Sequence, residues 1–268
     1  MSRKVRNKTG AVCFNTDGKE FTYLDDGTRD RHNNILYKVI FKSGYSTYVQ
    51  ANKIVTGNIH DYGSPTIHGV GCTDYKGASY EPEYKLWIKI FHRCYSTSYH
   101  KRFPSYTNCS VDLRWHHYSH FKNDINKICN YKECLQYNDG KRLVIDKDIL
   151  VYKNKQYSLQ TCCIVPEPIN IFITNVKSDN TSGLIGVHKR HSHYVVVFSY
   201  KNQTIQGGTY SNPVDAVNAY YQHKLCKLAD LLIQYDWIDD RVKTGLYAYF
   251  DKQKEEQLRI ALALQKIR

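Results

Sequence analysis

The segment from Ser182 to Lys224 constrains the folding of this chain more than any other. Three β-like runs, Ser182–Arg190, His193–Tyr200 and Thr204–Tyr210, are parted by tight turns, the second at Lys201-Asn202. Asn212-Pro213 then opens a helix: Asn212 or Ser211 caps the first turn, and proline sits where an amide proton would have no partner. Val214, Val217, Tyr221 and Leu225 recur at helical spacing and form its inward stripe. These signals predict a three-stranded sheet packed on one helix. Alternate residues of a strand face one way, so such a sheet keeps one flat face open, here cationic and aromatic.

The first 70 residues carry four short β-like stretches, Ala11–Phe14, Glu20–Leu24, Ile35–Lys42 and Tyr45–Val49, punctuated by Thr16-Asp17-Gly18, Asp25-Asp26-Gly27 and Ser43-Gly44. They predict a small antiparallel barrel or curled sheet, a β-rich, small-barrel-like accessory module. Residues 81–95 place Tyr84, Trp87, Ile88, Phe91, Cys94 and Tyr95 on one helical face. Residues 113–130 repeat the pattern with Trp115, Tyr118, Phe121, Ile125 and Ile128. Both read as core helices with aromatic stripes. Residues 231–268 also read as helical, and their last part, from Asp251, carries Leu258, Ile260, Ala261, Leu262 and Leu264 among charges, fit to dock in cis or to dimerise.

Between these parts lies Arg142–Val151, an apolar run broken by Asp146-Lys147-Asp148. A buried strand cannot carry unanswered charge cheaply, so these groups belong at a strand end or edge, or face a cation. A polar loop follows over Tyr152–Ser158, then a second apolar run at Thr161–Val165, and Pro166-Glu167-Pro168 opens a helix. Strand, loop, strand and helix make a ββα unit.

Charge narrows the choice of partner. The 268 residues carry a net charge of +13, with 38 Lys and Arg against 25 Asp and Glu. Each third of the chain is mildly basic, which suits several modules lying along a polyanion. The 24 tyrosines suit wet, charged interfaces as well as a tyrosine-rich core. No apolar run is long enough to span a bilayer and no secretory signal opens the chain, so a cytoplasmic protein without a membrane partner is expected. Nine cysteines, an odd number, then read as reduced thiols. Cys162 and Cys163 are adjacent and Cys129/Cys134 has no companion pair, so zinc is not expected, although Cys94, Cys109, Cys129 and Cys134 are the set to consider.

Two resemblances sharpen this reading. The run through Trp87, Arg93-Cys94-Tyr95, Trp115, Phe121, Ile145-Asp146-Lys147-Asp148, Cys163-Ile164-Val165-Pro166 and Asn170 resembles a phage-encoded subgroup of HNH-type homing endonucleases. That resemblance implies a hydrolase that cleaves DNA with one divalent cation, Mg²⁺ or Mn²⁺, held by Asp146 and Asn170. Lys147 stands where the family has its general-base histidine, and two acidic neighbours disfavour a neutral amine there. Lys147 then suits a phosphate clamp, and the base becomes Asp148, a metal-bound hydroxide, or one of His116, His117 and His120. The segment Gly186-Val187, Gly208-Thr209-Tyr210, Asp215-Ala216 and Ala219-Tyr220 resembles the Apetala-type (ethylene-response-factor) DNA-binding domain. By that resemblance His188, Lys189, Arg190, Tyr194, Ser199 and Lys201 would touch DNA. The tryptophan usual in the second strand is absent, with Tyr194 near its place, which leaves base preference open.

The expectation is therefore an α+β protein in four parts: an accessory module (1–70), an HNH-like nuclease domain (71–178), an Apetala-type domain (179–230) and a helical segment (231–268). It would be a site-specific endonuclease acting on double-stranded DNA as a monomer or homodimer. The alternatives are a binding protein built from the same modules without cleavage, for which Lys147 is the best argument, and an RNA- or ribosome-associated protein.

Overall fold

A computed structural model describes residues 10–138, 140–174, 181–200 and 203–266. The chain is mixed α and β with antiparallel sheets, and it divides into two compact units, Met1–Asn123 and Asp124–Arg268. Among the described residues no helix is long and apolar enough to cross a membrane.

In the first unit, β1 (Cys13–Phe14), β2 (Glu20–Leu24), β3 (Tyr37–Phe41) and β4 (Ser46–Val49) pair in sequence order as an antiparallel meander. Period-two alternation buries Phe21, Tyr23, Val39 and Phe41, and Ile54 of α1 (Ala51–Thr56) joins them with Ile59 in a small core. Of the two forms expected, barrel or curled sheet, the barrel does not form. The sheet stays open because a two-residue β1 and a four-residue β4 cannot close it, and the apolar face is covered by the helix instead.

The rest of this unit holds α2 (Tyr84–Tyr95), α3 (Thr97–Arg102), β5 (Ser110–Val111) and α4 (Tyr118–Ile125). Trp87 is fully buried against Phe91 and Tyr118, and its indole N–H donates to the Trp115 carbonyl at 2.7 Å. The single helix expected over 113–130 is broken. A short 3-10 turn at Leu113–His116 gives way to extended backbone at His117 before α4 begins. The cause is non-local: the Cys72 amide donates to the His116 carbonyl at 2.8 Å, and Tyr118 donates to the Cys72 carbonyl at 3.0 Å. Those groups are spent on a bridge and cannot continue a helical ladder.

The second unit runs α5 (Tyr131–Tyr137), β6 (Leu143–Asp146), β7 (Gln156–Tyr157), β8 (Cys163–Pro166), α6 (Glu167–Thr174), β9 (Val187–Arg190), β10 (His193–Tyr200), β11 (Gln203–Tyr210), α7 (Pro213–Gln234) and α8 (Asp240–Lys266). β11, β10 and β9 form an antiparallel sheet, α7 lies against all three strands, and α8 packs along α7. Of the two caps expected, Asn212 is the one used, accepting from the Asp215 amide at 2.9 Å. The C-terminal helix docks in cis through Val242, Leu246, Phe250, Gln253, Gln257 and Ala261, a run of near-helical repeats. Ile260 and Leu262, expected in the stripe, stay exposed.

One buried cluster joins the ββα element to the sheet and helices that follow it. Cys163, Val165, Ile169 and Phe172 of the ββα element belong to the same buried cluster as Val196, Phe198, Tyr220, Leu231 and Phe250. The expected borders at 70/71 and 178/179 each fall inside one of the two compact units, and across 178/179 the buried cluster is continuous.

Lys224 of α7 is buried in this interior. Its ammonium donates to the Phe172 carbonyl at 2.9 Å, an orphan acceptor at the C-terminal end of α6, and lies 3.8 Å from the Phe172 ring centre. Burial pulls its pKa from 10.5 down to about 8. Below pH 8 both folded and unfolded chains hold the proton, and the fold bears the cost of the buried charge. Between there and the unfolded value only the unfolded chain keeps it, so stability rises with pH across that window. Wild type should gain at most about 3 kcal/mol over Lys224→Met between pH 8 and pH 10 by urea midpoint.

Candidate active site and nucleic-acid interface

The ββα element is a short hairpin with a helix laid over it. β6 and β8 pair antiparallel, Leu143 opposite Pro166 and Asp146 opposite Cys163. Val144 and Ile145 are buried, and Asp146 comes where the chain leaves the sheet, which resolves the puzzle of charge in an apolar run. Its Oδ1 accepts from the amides of Asp148 at 2.7 Å and Ile149 at 2.9 Å, closing the turn. Its Oδ2 takes no hydrogen bond among the described residues. Burial first, and the Asp148 charge second, raise the Asp146 pKa above the usual carboxylate value, the turn amides and Lys147 pulling the other way. A cation at this carboxylate would relieve both unfavourable effects.

Lys147 does not present its amine to solvent. Its side chain is only 5% exposed, and Nζ donates to Asp148 Oδ2 at 2.7 Å and to the Asn154 carbonyl at 2.6 Å. Asn154 answers by donating to the Lys147 carbonyl at 3.1 Å. The two residues staple the loop between β6 and β7. Spent in this way, the ammonium is placed as a loop fastener, and the same ion pair engages Asp148.

α6 packs on both strands of the hairpin. Ile169, Phe172 and Ile173 face the core, and Asn170 lies on the rim of that stripe, half-buried. Its carbonyl accepts from Thr174 Oγ1 at 2.9 Å, while its side-chain amide makes no hydrogen bond among the described residues. The two residues expected to hold a cation thus sit on one ββα element, each with a side-chain oxygen left over. Among the described residues no group of three or more His, Cys, Asp or Glu side chains is arranged to hold a metal, and all nine cysteines are free thiols. Buried Asn130 fixes the hairpin from behind, donating to the Ile164 carbonyl at 2.7 Å and accepting from the Asp239 amide at 2.9 Å.

The histidines considered as bases lie in the first unit. His116 and His120 donate ring N–H groups to the carbonyls of Val111 and Arg114. His117 Nδ1 stands 2.6 Å from Asp74 Oδ1, and Asp74 Oδ2 accepts from both the amide and the hydroxyl of Ser119.

The three-stranded sheet divides its side chains by parity. Arg190 pairs with His193, His188 with Val195, and Ser199 with Thr204, and these share the face turned away from α7. Gln206 and Thr209 join them opposite Val197 and Val195. The register shifts between Val195 and Val197, so β11 holds an extra residue at Gly207-Gly208, where Gly208 has φ +106°. Tyr194 is on the other side. It is 2% exposed in the core with Val196 and Phe198, so it cannot touch DNA. Lys189, its cross-strand partner, shares that parity but is exposed at the edge strand. Lys201 lies outside the described residues. His193, Gln206 and Thr209 were not expected on this surface. Counting parity across the two-residue turn from Arg190 would have found His193.

Comparison of the chain with known protein families, with characterised proteins and with solved structures finds no match.

Proposed function

We propose that this chain is a site-specific endonuclease that hydrolyses phosphodiester bonds of double-stranded DNA at Asp146 and Asn170, with one Mg²⁺ or Mn²⁺ ion. The observation that carries the reading is the ββα element, with a carboxylate oxygen at the end of β6 and a side-chain amide on α6 that take no hydrogen bond among the described residues. Carboxylate and amide oxygens are the donors a hard dication takes, with waters completing its shell. Such an ion supplies Lewis-acid stabilisation of charge on the scissile phosphate and the leaving oxygen. Asp146 and Asn170 would hold it, Lys147 and Asn154 keep the loop rigid, and the open face of β9–β11 reads the duplex.

The test is nicking of supercoiled and genomic DNA with Mg²⁺ or Mn²⁺ and with chelator. Binding without cleavage under every metal condition sinks the nuclease and leaves a DNA-binding protein. That second reading is favoured by the burial of Lys147, which removes the side chain standing in the base position. Competition between duplex DNA and structured RNA at fixed salt separates both from an RNA-binding protein.

Parity on the sheet gives a sharper expectation. Arg190→Ala should weaken duplex binding by about 1–3 kcal/mol, whereas Tyr194→Phe should leave affinity unchanged because the ring faces α7. Fluorescence anisotropy on a labelled duplex reads both, and a larger loss for Tyr194→Phe would reverse the assignment of faces.

A further inference from the structure

Between Glu83 and Asp112 the chain has no carboxylate side chain, yet it carries Lys85, Lys89, Arg93, Lys101 and Arg102. This stretch spans α2, α3 and the turn at Pro104–Tyr106 in the first unit. Its fold sets two of these charges, Arg93 and Arg102, on an aromatic frame. The Tyr99 ring sits at the centre, 5.1 Å from His92, 4.7 Å from Phe103 and 5.4 Å from Tyr106 by ring centres. The Arg93 guanidinium lies over Tyr106 at 5.9 Å and that of Arg102 over Phe103 at 5.3 Å. His100 Nε2–H donates to the Arg93 carbonyl at 2.8 Å, tying α3 back to α2, and Ser96 caps α3 through the Tyr99 amide. Lys101, Arg102 and Phe103 are exposed, and neither cation makes an ion pair among the described residues.

From this arrangement we infer that the α2–α3 corner is a second DNA contact surface that grips the phosphodiester backbone of a duplex. The inference rests on the proposed DNA-directed function and adds a surface to it. A carboxylate-free stretch of this charge lowers the free energy of a polyanion alone. Rings that hold guanidinium planes in place reduce the side-chain entropy lost on binding, and a fixed guanidinium suits bidentate contact with phosphate. The rings pack edge-on or tilted against one another, and Tyr106 and Phe103 each carry a guanidinium on one face, so their first role is to hold cations. That favours a paired backbone over a single strand.

The experiment measures affinity of the full chain for a labelled non-cognate duplex across a series of KCl concentrations. Lys101→Ala/Arg102→Ala should bind about tenfold more weakly at fixed salt, with the slope of log K against log salt smaller by about 1–2, and with unchanged thermal unfolding. If wild type binds duplex and the double variant keeps its slope, the surface is not a contact while the proposed function stands. If wild type binds no duplex, the proposed function falls and this surface with it. If the variant loses affinity for single-stranded DNA or RNA alone, the duplex assignment is wrong.

Discussion

Asp146→Asn should fold and bind DNA as wild type does while its cleavage rate falls by about 10²–10³-fold, the loss expected when an electrostatic stabiliser of the transition state is removed. Asparagine is the informative replacement because the carboxylate has two separable jobs. Its Oδ1 closes the turn after β6 by accepting two amides, and an amide oxygen can do that as well. Only the charge at the other oxygen is lost. Asp146→Ala would strip both functions and cost about 1–2 kcal/mol of stability through the two orphaned N–H groups, confusing the result. Plasmid nicking gives the rate, gel shift gives binding, and Mg²⁺ should raise the unfolding temperature of wild type but not of the variant. A variant that cuts at nearly the wild-type rate would remove Asp146 from the chemistry.

The second large effect concerns stability. Gly186→Ala should destabilise the second unit by about 3–5 kcal/mol, lowering its unfolding temperature by about 10 °C. Gly186 has φ +66°, and a methyl group there would overlap the ring of Tyr220. That ring is 2% exposed and wedged against Phe198 and Tyr221, so it cannot swing away. The Gly186 carbonyl also accepts from Val197 at 2.9 Å, which holds the backbone in place. Gly183→Ala is the control. It shares the left-handed backbone, φ +74°, but a methyl group there meets nothing within 4 Å, so the cost should be the backbone's alone, about 1–2 kcal/mol. Circular dichroism melts of the two variants separate strain from overlap, and equal melting temperatures would show that Tyr220 yields.

What the sequence made legible was local. Asn212-Pro213, the Gly186-Val187 entry and the turns of the three-stranded sheet each act within a few residues, and that sheet and helix form where expected. Asp146 and Asn170 also fall on the strand end and the helix that their neighbours announce. The failures share a cause in distance. The break at His117 comes from Cys72, far back in the chain, and no periodicity within 113–130 signals it. Lys147 reads as a cation beside two carboxylates, but its fate is decided by the Asn154 carbonyl, which only a folded loop brings near. Tyr194 entered by resemblance, but in β10 it stands one residue from the outward His193, and that single step exchanges the solvent face for the core. The helix α1 gave no cue beyond Ala51 and Ile54, too few turns for a period to show.

The continuous interior of the second unit has an evolutionary corollary. Proteins assembled from exchangeable cassettes are joined through linkers whose cutting exposes little oil. Here a cut between the hairpin and the β9–β11 sheet would open a face shared by Phe172, Phe198 and Phe250. If the proposed function holds, descendants of this chain should acquire new target preferences by drift at outward positions such as Arg190, His193 and Gln206, with the supporting scaffold inherited whole.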